Sequence, residues 1–179
     1  MPGRAHSAYD IETPRLRLIR ADRAILAAVF QGDEALAALL DISIPVQWKE
    51  QGQRWFTDWR DQDPQGVIGI YLPVLKKTGT LLGNAGFTSR PVAGEVFLFF
   101  ELAQVYRGFG LATEMVIALV DRVLEDPAIR LVVAQTEAAE SEATTVLRKA
   151  GFLRAEAAAE AGWRWELRPG SEVNRQFTQ

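Results

Sequence analysis

The chain of 179 residues contains no cysteine and one histidine, His6. Without cysteine there is no disulfide, no thiol nucleophile and no thiolate metal site. A lone histidine in a polar N-terminal stretch removes the Ser–His and Cys–His triads and the usual zinc sites as well; His6 reads as an untethered tail residue. Charge of one sign is scarce too: 20 Lys and Arg against 23 Asp and Glu leave a formal charge of −3. That balance argues against a nucleic-acid partner, which calls for a basic face, and a mildly acidic surface tolerates a cationic substrate such as an amine. No apolar run is long enough to span a bilayer, and residues 1–10 are too polar for a signal peptide. The expectation is a cytoplasmic monomer or homodimer with no membrane partner. Linkers, charge runs and repeats are also missing, which leaves a single domain over residues 11–168 between flexible tails at 1–10 and 169–179. With 48% hydrophobic residues, such a domain can bury a sizeable core.

The hydrophobic pattern orders the elements. Arg15-Leu16-Arg17-Leu18-Ile19-Arg20 alternates as a half-exposed strand does. Asp22 is placed to cap a helix with Ile25, Leu26, Val29 and Phe30 on one side, and Gly32 interrupts it before a second helical stretch. A tryptophan-rich segment, residues 53–60, suits a short helix. Residues 67–75 and 80–88 form a hairpin about Lys76-Lys77-Thr78-Gly79. A strand follows at 96–102, then a helix with Leu111, Met115, Leu119 and Val123 at intervals of four. A strand at 129–136 precedes a short helix at 141–150 stopped by Gly151, and strands at 152–158 and 163–168 finish the chain. The order predicts an α/β fold with a mixed sheet.

Between the strand at 96–102 and the helix after it lies Arg107-Gly108-Phe109-Gly110-Leu111-Ala112-Thr113. Gly108 and Gly110 let bare backbone approach a ligand, and the helix start beyond them leaves N–H groups unpaired at the positive end of the dipole. That combination suits a diphosphate. A tight strand-to-helix connection would explain the glycines alone. The turn lacks the Lys-Ser/Thr of a P-loop, and a dinucleotide fingerprint would place a third glycine where Thr113 stands. Coenzyme A fits better, because backbone N–H groups hold its pyrophosphate without a metal.

Here the chain resembles the GNAT family of acetyl-CoA-dependent N-acetyltransferases, whose signature Q/R-x-x-G-x-G/A is matched by Arg107-x-x-Gly110-x-Ala112. Tyr106-Arg107-Gly108-x-Gly110-x-Ala112-Thr113-Glu114 is similar to the branch that includes the ribosomal-protein alanine N-acetyltransferases. Glu12-Thr13-Pro14-Arg15-Leu16-x-Leu18, Leu82-Gly83-x-x-Gly86-Phe87 and Val146-Leu147-x-Lys149-x-Gly151-Phe152 resemble other parts of that branch, in the same order. The resemblance implies a mainly antiparallel sheet of about seven strands, splayed between the family's fourth and fifth strands, here 96–102 and 129–136. It implies that backbone N–H groups from Arg107 to Thr113 hold the pyrophosphate of acetyl-CoA. Leu102, Ala103 and Gln104 would pair with the pantetheine arm. An N–H near the end of the fourth strand would polarise the thioester for direct attack by an amine, either a protein N-terminal α-amine or a small-molecule amine.

Departures from the pattern bear on the chemistry. Family members carry Glu-Ile-Gly-Tyr where this chain has Phe97-Leu98-Phe99-Phe100, so the usual base is a phenylalanine. Glu101 shares a strand face with Phe97 and is the first candidate for the base, with Glu95 next on the same parity; a solvated rim carboxylate is the alternative role. Glu140 and Ala143 stand where relatives have the Asn and Ser that contact the pantetheine arm, and Leu147 replaces a tyrosine acid. Ser141, Thr144 and Thr145 are either proton donors to the leaving thiolate or ordinary helix residues. A thiol near pKa 8.5 also lets water serve. Arg148 and Lys149 either meet the nucleotide phosphate or line a solvated helix face. Trp48, Trp55 and Trp59 fall where the fold covers the acceptor side, as core or as pocket lining; Trp163 and Trp165 read as structural. The missing Glu, Asn and Ser also leave room for a non-catalytic acyl-CoA-binding module.

Overall fold

The strand alternation read from Leu16-Arg17-Leu18 places Leu16 and Leu18 fully inside the protein. In the computed structural model, which describes residues 7–46, 48, 56, 68–87, 92–155 and 162–170, they lie on β2 (Leu16–Arg20), which pairs with the short β1 (Ile11–Glu12) and with β3 (Ile70–Leu75). The remaining strands are β4 (Thr80–Leu81), β5 (Gly83–Phe87), β6 (Glu95–Leu102), β7 (Leu131–Thr136), β8 (Leu153–Arg154) and β9 (Trp163–Leu167). They make one sheet in the order β1-β2-β3-β5-β6-β7-β9-β8, with β4 also on β3. Every pairing is antiparallel except β6 with β7.

Among the described residues the helices with stated bounds are α1 (Arg23–Gln31), α2 (Asp33–Leu40), α3 (Leu111–Leu124) and α4 (Glu142–Lys149). Asp22 caps α1 by accepting the Ile25 N–H at 2.9 Å, and Gly32 ends it in a positive-φ conformation. On α3 the residues Leu111, Met115, Leu119 and Val123 are buried, as their spacing requires. Gly151 stops α4 at φ +91°, and the Phe152 N–H returns to the Leu147 carbonyl at 3.0 Å. Phe30 differs from expectation: it faces solvent at the end of α1 while Ile25 and Val29 pack inward.

Nine described strands replace the expected seven. The apolar stretch at 80–88 divides at Leu82, whose N–H binds the Pro73 carbonyl and whose carbonyl accepts from Ala103. One part therefore belongs to β3 alone and the other bridges β3 and β6. β1 went unread because two residues are too short for a periodic signal. The expected helix at 53–60 lies outside the described residues apart from Phe56, as do Trp55, Trp59 and His6.

Two cores flank the sheet. Leu16, Leu98, Leu102, Val132, Trp165 and the inner face of α3 form one. Ile25, Val29 and Leu36 of α1 and α2 form the other with Trp48, Phe56 and Phe99. Consecutive residues of β6 thus serve opposite cores: Leu98 and Leu102 face α3, and Phe99 faces α1 and α2.

Candidate active site

β6 and β7 run parallel for three registered pairs, Glu95↔Leu131, Val96↔Val132 and Phe97↔Val133, and the ladder then ends. β6 continues to Leu102 on its other side, paired with β5 as far as Gly83↔Leu102. The Ala103 N–H bonds the Leu82 carbonyl at 2.9 Å, so alternation turns the backbone groups of Phe100 and Leu102 the other way, into the gap beyond Phe97. The expected splay is therefore present. Its strand-like hydrogen-bonding edge is Phe100 and Leu102; Ala103 is already committed to Leu82. Gln104 stands off the groove, in a 3-10 turn (Gln104–Tyr106) whose carbonyl accepts the Arg107 N–H at 3.1 Å.

The glycine turn follows. Gly108 and Gly110 have φ of +82° and +74°, a region that favours glycine, and a side chain at 108 would point into open space. The ladder of α3 begins with the Glu114 N–H on the Gly110 carbonyl at 3.1 Å. Among the described residues no acceptor meets the N–H groups from Gly108 to Thr113. A groove of about 600 Å³ runs from this turn to α4, lined by Leu102, Arg107, Gly108, Gly110, Leu111, Ala112, Thr113 and Ala143 of the expected residues. Phe109 lies outside it with an exposed ring, its carbonyl held by Arg15 Nη1 at 2.8 Å. Tyr106, Phe100, Glu142, Thr145, Val146 and Lys149 line the groove as well.

A buried carboxylate supports the turn. Glu114, 4% exposed, accepts from the Thr13 hydroxyl at 2.6 Å, the Arg15 N–H at 2.8 Å and Arg15 Nε at 2.6 Å. Burial pushes its carboxyl up, but the Thr13 hydroxyl and the two Arg15 donors outweigh this and hold it below the usual range. Arg15 then reaches the Phe109 carbonyl, tying the carboxylate to the turn. Glu114 stands within the glycine-turn motif and Arg15 within the opening-strand motif, yet neither suggested a role. Only the fold brings them together.

On α4, Ser141 and Thr144 cap the helix start, and Ser141 also lines the groove. Ser141 Oγ accepts the Thr144 N–H at 3.2 Å, and Thr144 Oγ1 accepts the Ser141 N–H at 2.8 Å. Thr145 remains on the groove, its hydroxyl donating to the Ser141 carbonyl at 3.1 Å. Glu140 is off the groove and paired with Arg148, whose guanidinium lies 5.3 Å from the Trp165 ring centroid. The Arg148 donors hold the Glu140 carboxyl below its ordinary range. Of the two basic residues, Lys149 alone lines the groove. Arg107 crosses its mouth, with Nε on the Leu102 carbonyl at 3.0 Å and Nη1 3.6 Å from Glu142 Oε2.

The two candidate bases part company. Glu95 sits at the closed end of the β6–β7 ladder, and its Oε2 is 3.0 Å from Arg164 Nη2. Glu101 is half-buried at the splayed end, on the face of Phe99 and so toward α1 and α2. Directly across from it on β5 is Asn84, which accepts from Trp48 Nε1 at 3.2 Å. Trp48 is thus buried beside the base candidate, edge-on to Phe56 at 6.3 Å.

The profile of the acetyltransferase (GNAT) domain matches residues 15–153. The chain belongs to the GNAT acetyltransferase family, and it is an acyltransferase. Its fold is similar to that of a ribosomal L7/L12 α-N-protein acetyltransferase solved with coenzyme A, at 17% identity and TM-score 0.61, covering 89% of this chain and 97% of that one. It is also similar to a ribosomal-protein-S5-alanine acetyltransferase from Vibrio fischeri, at 12% identity and TM-score 0.57, covering 89% and 96%. An acetyltransferase from Agrobacterium tumefaciens aligns at 18% identity and TM-score 0.59, covering 93% and 98%. No curated protein matches the chain in sequence. Among the described residues no helix is long and apolar enough to cross a membrane, and no group of metal-ligating side chains gathers.

Proposed function

We propose that the protein transfers an acetyl group from acetyl-CoA to a primary amine, either a protein N-terminal α-amine or the amine of a small molecule. One observation carries the reading: the gap between β6 and β7 opens into the row of unpaired N–H groups from Gly108 to Thr113. A diphosphate suits those N–H groups, and an amide-bearing arm suits the edge of Phe100 and Leu102. The donor supplies an activated thioester. Polarising its carbonyl falls to backbone N–H at the gap, an arrangement that acts as an oxyanion site does. The amine approaches from the α1 and α2 face, where a Glu101 carboxylate oxygen takes the ammonium proton before direct attack. No side chain of the protein is acylated, and Ser141, Thr145 or water returns a proton to the leaving thiolate.

Thiol release from acetyl-CoA, measured across peptides, polyamines and aminoglycosides, tests the reaction. Activity with at least one amine class supports it; silence across the panel with intact donor binding favours a module that binds acyl-CoA without turnover. The site is tested by Gly110→Trp, which fills the cradle at a position with positive φ. We expect that variant to lose acetyl-CoA stabilisation in a thermal melt, and unchanged stabilisation would move the donor site elsewhere. Stabilisation by a nicotinamide dinucleotide but not by coenzyme A would replace the reading with a dinucleotide site.

A further inference from the structure

Asn84 is a polar side chain only 2% exposed, on a central strand between two apolar cores. Buried amides use their full hydrogen-bonding capacity or carry a reason for not doing so. The indole N–H of Trp48 is a donor only, so its 3.2 Å contact fixes which amide atom of Asn84 is the oxygen. The nitrogen, with two hydrogens, is thereby turned away from Trp48, and among the described residues nothing accepts from it. The registered partner of Asn84 on β6 is Glu101. Residues paired in this way share a sheet face, about 5.5 Å apart. On that face β5 offers Asn84 and Gly86, and β6 offers Phe97 and Phe99, so Asn84 is the polar neighbour that the sheet itself supplies to Glu101.

The geometry points to Asn84 as a positioning residue for the proton-accepting carboxylate, with Trp48 setting its orientation. This rests on the proposal that Glu101 is the base. Donation from the amide nitrogen would hold the Glu101 carboxylate toward the incoming amine.

Three variants test the arrangement, with acetyl-CoA binding as the control for folding. Asn84→Ala should lower kcat about tenfold, a part of the contribution of a positioned base. Asn84→Asp should lower it about a hundredfold, because a second carboxylate then faces Glu101. Asp near wild type with Ala impaired overturns the proposal, since Asp keeps the oxygen that Trp48 needs and Ala does not. Trp48→Phe frees the amide to rotate and should lower kcat less than Asn84→Ala. In a Glu101→Gln background, Asn84→Ala should have no further effect on kcat, and a full additional loss would show that Asn84 acts elsewhere. If Glu101→Gln alone leaves kcat unchanged, the base assignment falls and the role of Asn84 falls with it.

Discussion

Glu114 shows how one residue can hold a binding turn without touching a ligand. Its carboxylate gathers Thr13 and Arg15 from the β1–β2 connection, and Arg15 in turn fixes the Phe109 carbonyl. Glu114→Gln keeps the shape and removes the charge, so Arg15 and Thr13 lose a charge-assisted acceptor. The expected cost is about 1.5–3 kcal/mol, read as a lower urea midpoint. Acetyl-CoA affinity should fall with it, because the turn loses its anchor. The pH dependence has a definite sign. The folded-state carboxyl lies below its ordinary value, so its contribution is fully present above the unfolded value of about 4.3 and fades as pH falls through the folded one. Glu114→Gln should therefore lose less stability than wild type as pH falls below the unfolded value of about 4.3, as followed by urea unfolding at a series of pH values. None of this was legible in the sequence, because the contact joins residues about a hundred positions apart and a glutamate in a first helical turn ordinarily needs no partner beyond the dipole. The glycines of the same turn were legible, since their conformation is a local property.

At the level of elements, helix α4 and strand β5 each impose a condition on the groove. The reciprocal cap of Ser141 and Thr144 sets the start of α4, and the residues that follow, Glu142, Ala143 and Thr145, line the groove. Ser141→Ala should cost about 1 kcal/mol of stability and weaken acetyl-CoA binding, which calorimetry would measure. If stability falls and affinity does not, the cap serves the fold alone. On β5, a Cβ at Gly83 would lie 1.9 Å from the Glu101 carbonyl oxygen. Gly83→Ala must therefore push β5 from β6 at the very pair of strands that carries Asn84 and Glu101; a drop in melting temperature and a loss of turnover are expected together. The order of elements could be read because apolar periodicity is local. Their ends could not, since strand ends depend on which neighbour takes each N–H, as Leu82 shows.

Taken whole, the molecule made its donor groove readable and its acceptor side far less so. The groove is written in a contiguous turn whose glycines, helix start and following residues occupy neighbouring positions. The proposed acceptor side draws on Trp48, Asn84 and Glu101, one residue from each of three separated segments. Parity along β6 put Glu101 first and Glu95 next; the third dimension sets them apart, with Glu95 paired to Arg164 at the closed end of the ladder and Glu101 at the splayed end. The resemblance assigned Ala103 and Gln104 to the pantetheine arm; in the fold the Ala103 N–H bonds Leu82 and Gln104 opens a 3-10 turn.

The three-pair ladder between β6 and β7 has a mechanical consequence. Seen along the strands, the sheet is two panels joined by a short ladder, with α3 packed against β6, β1 and β2. A substrate whose arm lies along Phe100 and Leu102 would act as a removable length of strand, stitching the panels where the protein leaves them apart. Hydrogen exchange offers a direct view: amides of Leu98–Leu102 and Ala134–Thr136 should slow when acetyl-CoA is added, while those of β2 and β3 stay as they were. On that account the enzyme completes its own architecture with the molecule it consumes, and becomes looser each time it lets the product go.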